Sequence, residues 1–175
     1  MSKLARQGRM SSQSPRGVRT AAALGAASLG LLALSGCEQP RPMATATVGG
    51  DSVSTEASCY NDGKTIPKDE LRKCLSKAPS KTISVDAAEK VRIGVPPETA
   101  DAGWQIFADG DPMLSETLKK TYYSFVGEVF FQSRSQQPGE KPSGPKKSIN
   151  LTLVQTSGGD FKGVWHFTLK NTAGE

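Results

Sequence analysis

Two-residue alternation of apolar and polar positions dominates the second half of the chain. Ile83 and Val85 alternate with Thr82, Ser84 and Asp86, and Val91, Ile93 and Val95 alternate with Arg92 and Gly94. Successive side chains of an extended strand point to opposite faces, so each run predicts a strand with one face in a core and the other in water. Ala87-Ala88-Glu89 turns the chain between them, and Pro96-Pro97 ends the second strand because proline has no N–H for the ladder. Trp104 and Ile106 share one face of a further strand over 103–108, followed by the turn Asp109-Gly110-Asp111. Near the end, Ile149, Leu151 and Leu153 alternate with Asn150 and Thr152. After Ser157-Gly158-Gly159-Asp160, Trp165, Phe167 and Leu169 alternate with Val164, His166 and Thr168. This predicts a terminal hairpin whose aromatic face closes the core.

The remaining stretches are patterned more weakly. Residues 44–48 and 53–59 predict strands around the turn Gly49-Gly50-Asp51. Pro67 suits a first helical position, with Asp69 and Glu70 in the first turn and Leu71, Cys74 and Leu75 along one side. Residues 111–120 fit either a helix capped by Asp111 or a strand. Residues 122–132, rich in aromatic and branched side chains, read as one strand with Gly127 as a bulge. Residues 133–147 hold Pro138, Gly139, Pro142, Gly144 and Pro145 and predict a long, mobile inter-strand loop. Short alternating strands joined by glycine and proline turns predict a mainly β fold, an antiparallel β-sandwich with one or two short helices, immunoglobulin-like sandwiches among the candidates.

The first quarter of the chain is different in kind. Residues 1–20 carry Lys3, Arg6, Arg9, Arg16 and Arg19 with no acid, and residues 21–34 are apolar. A basic start followed by a short apolar run predicts a cleaved export signal, too short for a comfortable membrane span. At its end, Leu34-Ser35-Gly36-Cys37 resembles the lipobox of bacterial lipoproteins, which implies a diacylglyceryl group on Cys37 as the mature N-terminus. The expected organisation is a signal peptide over 1–36, a lipidated N-terminus and tether over 37–43, and a single extracellular domain over 44–175. Two acyl chains on one cysteine give stable attachment where one chain holds only marginally. The expected location is the extracytoplasmic face of the cell membrane.

Removing the leader changes the charge argument. The formal net charge of +5 comes from 22 basic and 17 acidic residues, and the five leader cations account for all of it, since 22 less 5 leaves 17. A neutral mature chain with scattered basic pairs argues against a nucleic-acid partner, because phosphate affinity needs many clustered contacts. Of the three cysteines, Cys59 and Cys74 remain as a pair in an exported chain, favouring a disulfide over two buried thiols.

Catalytic chemistry finds little material. His166 is the only histidine, and alternation puts it on the face opposite Trp165 and Phe167, as a sheet-surface residue with no G-x-S-x-G motif nearby. Zinc and copper want clustered His and Cys, and counting twelve positions from Asp109 reaches Lys120 where a calcium loop needs glutamate. No catalytic residue, metal or cofactor is therefore expected. The aromatic set is the one candidate surface: adjacent pairs cannot both face inward on a regular strand, so one of Tyr122 and Tyr123 and one of Phe130 and Phe131 are expected to line a binding surface.

The lipobox, Cys59-Tyr60, the strand Val91-Arg92-Ile93-Gly94-Val95-Pro96, Gly103-Trp104 and the Asp109-Gly110 turn together resemble a group of uncharacterised lipoproteins of actinobacteria. The resemblance implies a membrane-anchored extracellular domain and carries over no functional residue beyond the lipidation site Cys37. The function expected from the chain is a non-enzymatic module that binds an envelope protein or other envelope component. The alternative is a small-ligand or sensor lipoprotein with a shallow apolar pocket between its sheets.

Overall fold

A computed structural model describes residues 40–132 and 144–173. The expected leader, Cys37 and residues 133–143 of the expected loop lie outside the described residues. In chain order the elements are β1 (Met43–Val48), β2 (Asp51–Glu56), β3 (Cys59–Tyr60), α1 (Lys68–Leu75), β4 (Thr82–Val85), β5 (Lys90–Gly94), α2 (Pro97–Ala102) and β6 (Trp104–Ala108). They continue as β7 (Asp111–Pro112), β8 (Tyr122–Val126), α3 (Glu128–Phe131), β9 (Ser148–Ser157) and β10 (Asp160–Asn171).

The strands form two sheets. Sheet 1 runs β2-β1-β5-β8 and is antiparallel throughout. Sheet 2 runs β3-β10-β9-β6-β7, and β4 lies parallel to β10 along Thr82–Val85. One continuous core joins them: Ala46, Val91 and Ile93 of sheet 1 pack in the same cluster as Ile106, Leu151, Leu153, Trp165 and Phe167 of sheet 2. The protein is thus a β-sandwich, and the apolar positions that alternate in the sequence are the ones facing inward. Both tryptophans lie fully inside, and each indole N–H finds a carbonyl: Trp104 Nε1 donates to Lys120 O at 2.8 Å and Trp165 Nε1 to Pro42 O at 2.8 Å. Buried indoles need such partners, and these two pin the connection into β8 and the start of β1 to the core.

Several expectations are corrected by the fold. Residues 122–132 are not one strand: β8 stops at Val126 and the chain turns into α3, so Phe130 and Phe131 both enter the core, at 3% and 2% exposure. Helical geometry lets neighbours share an inward sector that a strand would split between faces. Gly127 is the hinge for steric reasons, because its φ of −54° is ordinary while a Cβ there would collide with the Asp86 carbonyl oxygen. Pro97 does not merely end β5; with its φ suited to a first turn, it opens α2. Residues 113–121 form no helix. The N–H of Met113 is drawn to Ile106 O, and Leu118 and Trp104 exchange both backbone hydrogen bonds, pairing this segment along the edge of sheet 2. In α1, Leu71 and Cys74 turn inward as expected, whereas Leu75 is 46% exposed at the last turn.

Candidate binding face

The two outer faces of the sandwich differ. On sheet 2, Val164 packs with Ile66 and Cys74, beside Cys59 and Leu71, so α1 covers the outer side of β10. The Cys59–Cys74 disulfide ties the helix to β3, which is itself paired with β10 at Gly163 and Val164. His166 lies under this cover at 3% exposure, correcting its expected place on the sheet surface. Its Nε2 donates to the Cys74 carbonyl at 2.9 Å, since a carbonyl only accepts, and its Nδ1 therefore accepts from Thr152 Oγ1 at 3.1 Å. Burial is the chief influence on its pKa and holds it below the usual histidine value; the bond to Cys74 opposes this and nearby Lys77 adds to it. The imidazole is neutral and enclosed, so a substrate has no route to the Thr152–His166 pair.

Among the described residues, no helix or loop packs on the outer face of sheet 1. The register aligns Ser54, Thr45, Gly94 and Tyr122 in one row across the four strands, and Ser52, Thr47, Arg92 and Ser124 in the next. Lys90 and Val126 begin a third row. These are the outward members of the alternating pattern, most of them polar, with Tyr122 and Val126 as exposed apolar exceptions. Hydroxyls on neighbouring strands bond each other: Thr45 Oγ1 and Ser54 Oγ lie 2.8 Å apart, and Thr47 Oγ1 and Ser52 Oγ 3.0 Å apart. Such cross-strand pairs order the side chains while each oxygen keeps capacity for another partner.

Tyr122 stands on the edge strand at 57% exposure. Arg92 Cζ lies 5.3 Å from the centroid of its ring, a cation–π contact. At an exposed site such a contact is worth about 0.5–1 kcal/mol, enough to bias the two side chains toward each other. Beside them Thr47, Gly49, Glu89, Lys90, Arg92 and Ser124 line a shallow depression of about 240 Å³. Glu89 is already engaged, its Oε2 accepting the Asp86 N–H at 3.1 Å.

Of the aromatic residues expected on a binding surface, Tyr122 alone is well exposed. Tyr123 is half-buried against the core, with its ring 4.9 Å from that of Phe125, and Phe130 and Phe131 are interior. Arg92, Gly94 and the Ser/Thr rows were not singled out from the sequence as site residues. Their signal was the near-uniform hydroxyl character of the outward positions 45, 47, 52 and 54. The space between the sheets is filled by Trp104, Trp165, Phe130, Phe131 and Phe167, each at most 3% exposed. Among the described residues no cluster of three or more His, Cys, Asp or Glu side chains is arranged to hold a metal, and no helix is long and apolar enough to cross a membrane.

No protein-family model matches the chain, and no curated protein matches it. A solved structure of fibronectin(III)-like modules from Clostridium thermocellum CbhA aligns with 54% of this chain and 91% of its own, at 8% identity and a TM-score of 0.35.

Proposed function

We propose that the protein is a lipid-anchored, non-enzymatic module of the extracytoplasmic membrane face, and that the open face of sheet 1 docks a component of the envelope. The anchor rests on the basic leader, the apolar run and Leu34-Ser35-Gly36-Cys37. A disulfide in the folded domain suits the oxidising surroundings of an exported chain. The observation that carries the docking face is Tyr122, more than half exposed and in cation–π contact with Arg92 on a sheet that no other described residue covers, while the other sheet's outer face lies under α1. An exposed aromatic ring beside a guanidinium offers a partner both an apolar surface and directed N–H donors.

The test is cross-linking of the full-length protein in cells of its host, comparing the native chain with a Tyr122→Ala/Arg92→Ala variant. The docked component is expected to be captured by the native chain and reduced at least tenfold in the variant. Equal capture by both sinks the docking face. Mass spectrometry of the N-terminal peptide checks the anchor separately, with a diacylglyceryl adduct expected on Cys37.

A further inference from the structure

The chemistry of the open face selects among the components an envelope offers. Around the Tyr122 corner, β5 and β8 present Arg92 and Lys90 as cations, Ser124 as a hydroxyl, and Gly94 as a gap without a side chain. The strand carboxylate on this face, Glu56, sits across the sheet on the opposite edge, paired with Met43. Glu89 also lines the depression, one of its carboxylate oxygens accepting the Asp86 N–H, so the two cations Arg92 and Lys90 outnumber it by a single charge. A net positive depression therefore lies beside an exposed aromatic ring and a field of ordered hydroxyls.

Size argues against a folded protein as the occupant. Four strands about 4.8 Å apart and about five residues long give a flat area on the order of 300 Å². A stable protein interface takes about 800 Å² from each partner and concentrates apolar side chains at its centre. Here the centre is Thr47 and Arg92.

We infer that this face binds an acidic polysaccharide of the envelope, deepening the docking reading on which it rests. A pyranose has an apolar C–H side to lie against Tyr122 and equatorial hydroxyls to meet those of Thr45, Ser54 and Ser124. Its carboxylate or phosphate group sits in the depression between Arg92 and Lys90, where the guanidinium beside Tyr122 can offer two parallel N–H donors. The gap at Gly94 admits the sugar between Thr45 and Tyr122.

The experiment uses the full chain in neutral detergent on an array of uronate- and phosphate-bearing oligosaccharides, each beside its neutral parent. At least one acidic glycan is expected to bind tenfold or more tightly than its parent, with affinity falling as salt rises. Arg92→Gln and Tyr122→Ser each lower that affinity about tenfold with the melting temperature unchanged. No acidic glycan exceeding its parent overturns the inference. So does equal binding to polyglutamate, which has the charge without the sugar, or Tyr122-dependent retention on vesicles containing phosphatidylglycerol. A blank array together with Tyr122-dependent capture of a protein in cells leaves the docking face standing and removes the glycan.

Discussion

His166 shows how one residue can be placed correctly on a face and still be misjudged in environment. Alternation puts it opposite Trp165, as found, but alternation is silent on what covers that face, and the cover comes from α1, about ninety residues earlier in the chain. The consequence is a pH dependence whose sign follows from burial. The folded pKa lies below the unfolded value, so between the two the unfolded chain binds more protons and stability rises with pH. Stability from the neutral imidazole is complete above the unfolded pKa of about 6.5 and is lost as pH falls through the depressed folded value. The urea midpoint of the native chain is expected to drop more between pH 7.5 and pH 5 than that of His166→Gln, whose amide still reaches toward Cys74. Parallel pH profiles for the two would contradict it.

At the scale of elements, the sequence is most informative where a strand is long and half-buried and least where backbone sterics decide. Strands β4, β5, β6, β9 and β10 follow from apolar alternation alone. The break at Gly127 does not, because the collision that a Cβ would make there is with the Asp86 carbonyl, a partner about forty residues away in sequence. Gly127→Ala is expected to destabilise the protein by about 1–3 kcal/mol, read as a lowered urea midpoint, since the obstacle is backbone and cannot rotate aside. The disulfide was legible by elimination among three cysteines, yet its role is local: it fastens an eight-residue helix that leaves only Cys74 fully buried. Replacing both Cys59 and Cys74 by alanine is expected to cost about 3 kcal/mol for a loop of this length. Amide exchange should accelerate most in α1 and at His166, where the helix is the cover, and least in β6 and β9. Uniform acceleration across both sheets would show instead that the helix is integral to the core.

For the molecule as a whole, the two outer faces differ. A disulfide-tied helix covers one; on the other, among the described residues, hydroxyl side chains stand exposed beside Tyr122. The sequence carried half of this. It marked Tyr122 among the surface aromatics and the alternating polar positions as outward. It was silent on register, and only register lines up Ser54, Thr45, Gly94 and Tyr122 across strands far apart in the chain and brings Arg92 over the ring. Gly94 tests whether that row is used. Its backbone is not among those with positive φ, and a Cβ would meet Thr121 O at 3.7 Å and Thr45 O at 3.9 Å, ordinary contacts. Nothing in the fold therefore demands glycine here, and Gly94→Thr, a better strand residue, is expected to leave stability unchanged or raise it by about 0.5–1 kcal/mol. Its added side chain projects from the outer face into the gap beside Tyr122, so capture of the docked component should fall about tenfold while the melting temperature holds or rises. A variant that is more stable and docks as well as the native chain would mean that the partner does not lie along this row, and that glycine at position 94 has no part in binding.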